Sequence, residues 1–82
     1  MDHKDITIFL ELVRCRNISK TAENLYLSQS AVSSRLKALE AEMGCQLVLR
    51  SKGQRSVELT RQGEEFISVA ERWKLLLKET EA

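Results

Sequence analysis

Residues 29–37 hold a run of short hydrogen-bonding side chains, Gln29, Ser30, Ser33 and Ser34, that ends in Lys37. Ser30, Ser33, Ser34 and Lys37 follow the i, i+3, i+4, i+7 spacing of one helix face. Val32, Leu36, Leu39 and Met43, at i, i+4, i+7 and i+11, make an apolar stripe on the other side. A solvated helix face usually carries long charged residues, whereas here the charge is held back to Arg35 and Lys37. Short polar side chains let a helix sit deep in the major groove of DNA. Glutamine and serine there can bond base edges, and the N–H groups of the first turn can meet a phosphate. The pattern alone also fits a serine-rich capping region with no partner.

A second cluster decides between these readings. Arg50, Lys52 and Arg55 lie close together around Gly53, which permits a tight turn. A basic tip of this kind can reach phosphates or the minor groove beside a groove-bound helix. In isolation a merely soluble loop is the lesser alternative; beside the serine face the tip becomes a second contact. The remaining chemically capable residues add nothing. Cys15 and Cys45 are far apart without a CxxC, and His3 is the single histidine, so no metal set forms. Both cysteines sit among apolar neighbours and read as small hydrophobes.

These clusters need elements to hold them. Ile6, Phe9, Leu10 and Val13 predict a first helix over about residues 5–16, closed by Asn17 in a left-handed conformation. Ser19 is the expected N-cap of a short second helix that buries Ala22 and Leu25 and ends near Tyr26 and Leu27. The third helix covers 28–43 and stops at Gly44. A link of only two or three residues between the second and third helices forces them to cross steeply. The period then changes. Leu47-Val48-Leu49 and Val57-Glu58-Leu59 predict a two-stranded hairpin with the basic segment 50–56 at its tip. Thr60 caps a last helix reaching about Thr80, with Gly63 in its first turn, where another backbone can approach. Phe66, Ala70, Trp73 and Leu77 form its stripe, flanked by Ile67 and Leu76.

The fold class is therefore mainly α: a winged helix-turn-helix of three helices plus a two-stranded wing, followed by a long C-terminal linker helix. Residues 1–59 form the winged domain and 60–82 the linker and dimerisation helix. The linker stripe is larger than a small three-helix core should cover, so Phe66, Ala70, Trp73 and Leu77 are expected at a homodimer interface. Folding back onto its own domain is the other course open to it.

Bulk properties agree. An 82-residue chain buries only about 60–65 % of its unfolded surface, which leaves little room for an enclosed substrate cavity. No enzyme activity and no cofactor are expected. No apolar run exceeds three residues, which excludes a membrane helix, and residues 1–20 lack a signal-peptide core, so a cytoplasmic location is expected. Net charge is only +1, but residues 29–62 carry six basic against three acidic groups. A polyanion would be met there, in the middle of the chain. A protein-interaction module, a thiol sensor and a winged helix of another family are the competing classes.

The stretch from Ile18 to Glu40 resembles the signature of LysR-type transcriptional regulators. Ala22-Glu23-Asn24-Leu25 precedes Ser28-Gln29-Ser30-Ala31-Val32-Ser33 and then Leu39-Glu40. Leu47-Val48-Leu49-Arg50 is similar to the family's Leu-Phe-x-Arg, and Leu59-Thr60-Arg61-Gln62-Gly63 to its Leu-Thr-x-x-Gly. The similarity covers essentially the whole chain. Thr21 and Val48 stand where alanine and phenylalanine are common, as packing variations. The resemblance implies a sequence-specific reader of double-stranded DNA, bacterial and nucleoid-associated. Ser28, Gln29, Ser30, Ser33, Ser34 and Lys37 would lie in the major groove. Ser19 would lie at a phosphate, and Arg50, Lys52 and Arg55 on the backbone or minor groove. It also implies antiparallel pairing of two linker helices, and a small-molecule effector domain that these 82 residues do not contain.

Overall fold

The computed structural model describes residues 1–50 and 56–81, with side chains as far as Leu77. Helix α1 (His3–Cys15) starts on a reciprocal cap. The Asp2 carboxylate accepts from the Asp5 amide at 3.0 Å, and Asp5 accepts from the Asp2 amide at 3.3 Å. Its buried apolar residues are Ile6, Ile8, Phe9 and Leu12, whereas the expected Leu10 and Val13 are half-buried. The difference follows from position: α1 touches all three other helices, so more than one of its faces is covered.

Two boundaries fall elsewhere than expected. Arg16, not Asn17, takes the left-handed conformation that closes α1, at φ 56°. Asn17, not Ser19, caps α2 (Ile18–Asn24), accepting from the Lys20 amide at 2.9 Å. Ser19 sits in the first turn instead. The cause lies in the other half of the chain. Ser56 pairs with Asn17, and the Val57 amide bonds the Arg16 carbonyl at 3.0 Å. Together these hold Asn17 in the extended backbone an N-cap requires.

The α2–α3 link is four residues, 25–28, longer than expected, because α2 stops where Tyr26 turns left-handed at φ 58°. Tyr26 is 95 % exposed, so its ring offsets none of the strain by packing. A non-glycine residue in this region costs roughly 1–2 kcal/mol, and glycine's greater unfolded entropy takes back about 0.5–1 kcal/mol. Tyr26→Gly is therefore expected to raise the thermal midpoint by roughly 2–5 °C in a domain of this size. A lower midpoint by circular dichroism would show that the ring packs after all.

Helix α3 (Gln29–Met43) has Ser28 as N-cap and Gly44, at φ 72°, as C-cap. Val32, Leu36 and Leu39 are buried, while Met43, the expected last member of the stripe, is 40 % exposed because it lies past the edge of the core. Strands β1 (Val48–Arg50) and β2 (Val57–Leu59) pair antiparallel, with Val48 opposite Leu59 and Arg50 opposite Val57. Helix α4 (Arg61–Glu81) begins at Thr60, whose hydroxyl accepts from the Gly63 amide at 2.9 Å and donates to the Gln46 carbonyl at 2.6 Å.

The main core joins Ile6, Phe9 and Leu12 to Leu36 and Leu39, to Leu47, Val48 and Val57, and to Phe66 and Ala70. Phe9 and Phe66 meet edge to face, with centroids 5.1 Å apart. Ile8, Ala22 and Val32 form a smaller cluster that pins α2 and α3 to α1. The first turns of α4 are thus part of the winged domain's own core.

Candidate nucleic-acid interface

Burying Val32, Leu36 and Leu39 turns the other side of α3 outward. Gln29, Ser30, Ser34 and Lys37 are exposed there, and Ser33 is half-buried. Ser28 also reaches the surface, but its hydroxyl caps the helix, accepting from the Ala31 amide at 3.1 Å, and lies 3.2 Å from the Ser30 hydroxyl. Its part is to orient the first turn and its neighbour.

The wing root arrives at the same surface. Arg50 donates from Nη1 to Ser33 Oγ at 3.5 Å, a long contact that places a guanidinium beside the serine face. Lys52 and Arg55, the expected tip residues, lie outside the described residues. Ser19 is half-buried in the first turn of α2, near the Asn17–Ser56 bridge and so close to the base of the wing.

The basic side chains of this segment divide by task. Lys37 is exposed and has no ion pair among the described residues. Arg35 is turned toward α1 at the surface, with Nη1 at 3.3 Å from Asp2 and 3.4 Å from the buried Asp5. It ties α3 to the start of α1. The Asp5 amide, aided by the Arg35 charge, holds the Asp2 carboxyl below its ordinary range against the opposing effect of desolvation. Arg61 pairs with Glu65 along α4 at 3.5 Å.

Glu40 closes the signature stretch with no task assigned to it by sequence, yet its Oε2 accepts from the amides of Leu47 at 2.7 Å and Val48 at 3.2 Å. Its partners are seven and eight residues on, across a change from helix to strand, so no local pattern announces the bond. Asn17 could have been found, since asparagine is as good an N-cap as serine.

The expected linker stripe is divided by the core. Phe66 and Ala70 are 4 % and 0 % exposed inside the protomer, packed within its own core. Phe66 is taken by Phe9, and Ala70 allows α4 to lie close to α1. Trp73 is partly buried against the same core, and Leu77 is half-buried. The apolar surface that α4 leaves outside is Val69, Leu75 and Leu76, at 49, 58 and 64 % exposure. Val69 and Leu76, seven apart, share a side that flanks the buried stripe. An apolar groove of about 240 Å³ adjoins Val69, with Met43, Cys45 and Phe66 in its walls.

Both cysteines are free. Cys45 packs against the core as expected. Cys15 instead joins a polar group, 3.2 Å from Glu11 Oε1 and 3.4 Å from Asn24 Nδ2. The hydrogen bond from Arg14 draws the Glu11 carboxyl below its ordinary range, helped by the Cys15 thiol. Among the described residues no group of three or more His, Cys, Asp or Glu side chains could hold a metal ion. No helix of the described residues is long and apolar enough to cross a membrane.

Three helices, a paired wing at the α3 surface and a long following helix define a winged helix-turn-helix protein. Residues 3–64 match the family model of bacterial regulatory helix-turn-helix proteins of the lysR family. The chain belongs to that family. It is 40 % identical, over 96 % of its length, to the HTH-type transcriptional regulators HdfR of Yersinia pestis (strain Pestoides F) and Yersinia pseudotuberculosis (serotype O:1b, strain IP 31758). It spans 28 % of the length of these relatives. Among solved structures it is similar to the DNA-binding domain of CbnR in complex with DNA. That match has a TM-score of 0.91 at 30 % identity and covers 98 % of this chain and 90 % of the other. The DNA-binding domain of BenM in complex with benA site 1 DNA matches at a TM-score of 0.86 and 28 % identity, over 98 % and 91 % of the two chains.

Proposed function

We propose that this chain is the sequence-specific, double-stranded-DNA-reading part of a bacterial LysR-type transcriptional regulator. It acts as a homodimer on nucleoid DNA in the cytoplasm, without catalysis. The observation that carries the reading is α3 itself. One side is buried to Leu36 and Leu39. The other presents Gln29, Ser30, Ser33, Ser34 and Lys37, with Arg50 of the wing reaching Ser33. A helix held so firmly by one side and furnished so lightly on the other suits insertion into a major groove, with the wing on the backbone. The DNA complexes of CbnR and BenM, whose domains this chain resembles, support the same role.

Residues 1–59 serve as the reading domain and 60–82 as the linker, although the linker's first turns also complete the reader's core. Pairing uses the outer part of α4, where Val69, Trp73, Leu76 and Leu77 offer apolar surface that Phe66 and Ala70 do not. Two-fold pairing sets two α3 helices at a fixed spacing along the duplex.

Salt dependence tests the reading. Lys37, Arg50, Lys52 and Arg55 supply roughly four phosphate contacts per protomer, which for a dimer gives a log–log salt slope near −7, at about 0.9 per contact. A single protomer would give about half that slope. Fluorescence anisotropy on a duplex selected from genomic fragments measures it, and a slope near zero removes the DNA reading.

A further inference from the structure

We propose that Glu40 is a positioning residue that sets the wing against the DNA-reading helix. The inference rests on the DNA-binding role above and adds to it a residue that makes no contact with DNA. Glu40 belongs to the last turns of α3, and a single carboxylate oxygen takes the amides of both Leu47 and Val48. Leu47 is then held from three directions. Its side chain is wholly buried, its amide is on Glu40, and its carbonyl accepts from the Thr60 amide at 3.0 Å. Strand β1 leaves from this anchored point, and Arg50 lies two residues beyond Val48.

The short lever makes the anchor matter. Two strand residues span about 7 Å, so a tilt of 20° at Val48 moves Arg50 by about 2 Å. The Arg50–Ser33 contact, already 3.5 Å, does not survive such a shift. Without Glu40, two neighbouring amides lose their acceptor, and the strand must turn to find another.

Charge supplies the sign of the test. Glu40 lies on the helix that meets a polyanion, so by Coulomb's law its negative charge opposes binding. Removing a glutamate with no positioning task would tighten binding. Removing the clamp loosens it.

Two variants separate reach from charge. Glu40→Asp keeps the charge and shortens the arm by one methylene; Glu40→Gln keeps the length and one acceptor oxygen but drops the charge. Each full chain is titrated against the duplex selected by the wild type, with hydroxyl-radical footprinting for the wing and dimethyl-sulfate protection for α3. Amide exchange at Leu47 and Val48 is followed without DNA. We expect Glu40→Asp to bind about tenfold more weakly. Its salt slope should be shallower by about 0.9 for each wing phosphate lost. Wing protection should fade while α3 protection stays, and the two amides should exchange faster. Glu40→Gln should stay within about threefold of wild type and keep the wing footprint.

Unchanged binding and footprint in Glu40→Asp overturn the proposal, as does tighter binding of Glu40→Gln with faded wing protection. Parallel loss of wing and α3 protection in a folded Glu40→Asp also overturns it, since that reports general weakening. If Glu40→Asp does not fold, Glu40→Gln decides: a kept wing footprint with slow exchange at both amides supports the clamp, and a lost one overturns it. A wild type that binds no duplex removes the DNA reading itself, a failure distinct from these because amide exchange still reports whether the clamp exists.

Discussion

Gly63→Ala is expected to destabilise the domain by more than about 3 kcal/mol, a severe loss for so small a fold. By helix propensity alone the change should help, since alanine is better than glycine by about 1 kcal/mol in a helix. Packing reverses the sign. A Cβ on Gly63 would lie 3.0 Å from the Leu47 carbonyl carbon and closer still to its oxygen. Those are backbone atoms with no rotamer by which to yield. The same carbonyl accepts from the Thr60 amide, and the Leu47 side chain is buried. Moving Leu47 therefore disturbs the cap of α4, the core and the start of β1 together. The thermal midpoint should fall by roughly 10–20 °C. Gly44→Ala is the comparison, because a methyl there meets nothing within 4 Å and only the left-handed φ of 72° resists it. A cost of about 1 kcal/mol is expected at that site. Equal midpoints for wild type and Gly63→Ala would mean that α4 does not approach β1 as closely as described.

Ser33→Glu is expected to weaken DNA binding by more than about a hundredfold while the protein stays folded. Two effects act in one direction. A carboxylate about 6 Å from a phosphate is opposed by roughly 3 kcal/mol at an effective dielectric of 20. The new carboxylate also lies where Ser33 now meets Arg50, so it captures the wing guanidinium that would otherwise reach the backbone. Helicity should be unaffected, since glutamate is a better helix former than serine and Ser33 lies on the outer side of α3. Ser33→Ala, which removes one hydrogen bond and adds no charge, should cost no more than about tenfold. Full affinity in a folded Ser33→Glu protein would clear this face of the role.

Much of this architecture is legible in the chain because its signals are local. The spacing of Val32, Leu36 and Leu39 marks the inward side of α3, and so also the outward side that bears Ser30, Ser33, Ser34 and Lys37. Gly44 and Thr60 stand at the helix ends where their chemistry places them. The two β-type runs pair as expected, shifted by one residue so that Arg50 joins the ladder. Gly63 was readable as a place for another backbone, though not which one.

The remainder depends on partners far away in the chain. Asn17 displaces Ser19 as a cap because Ser56 and Val57 arrive from the wing and hold it extended. Arg35 is engaged by Asp2 and Asp5, thirty or more residues earlier. Phe66 and Ala70 share one helical stripe with Trp73 and Leu77, and nothing in that periodicity tells where the core ends along α4. The docking of α1 draws that line, burying the first two fully and leaving apolar surface at Val69 and Leu76. Periodicity and caps arise from neighbours within a few residues, so composition and spacing suffice to read them. The division of each face between core, clamp and free surface is a property of distant segments meeting, which no single window of the chain contains.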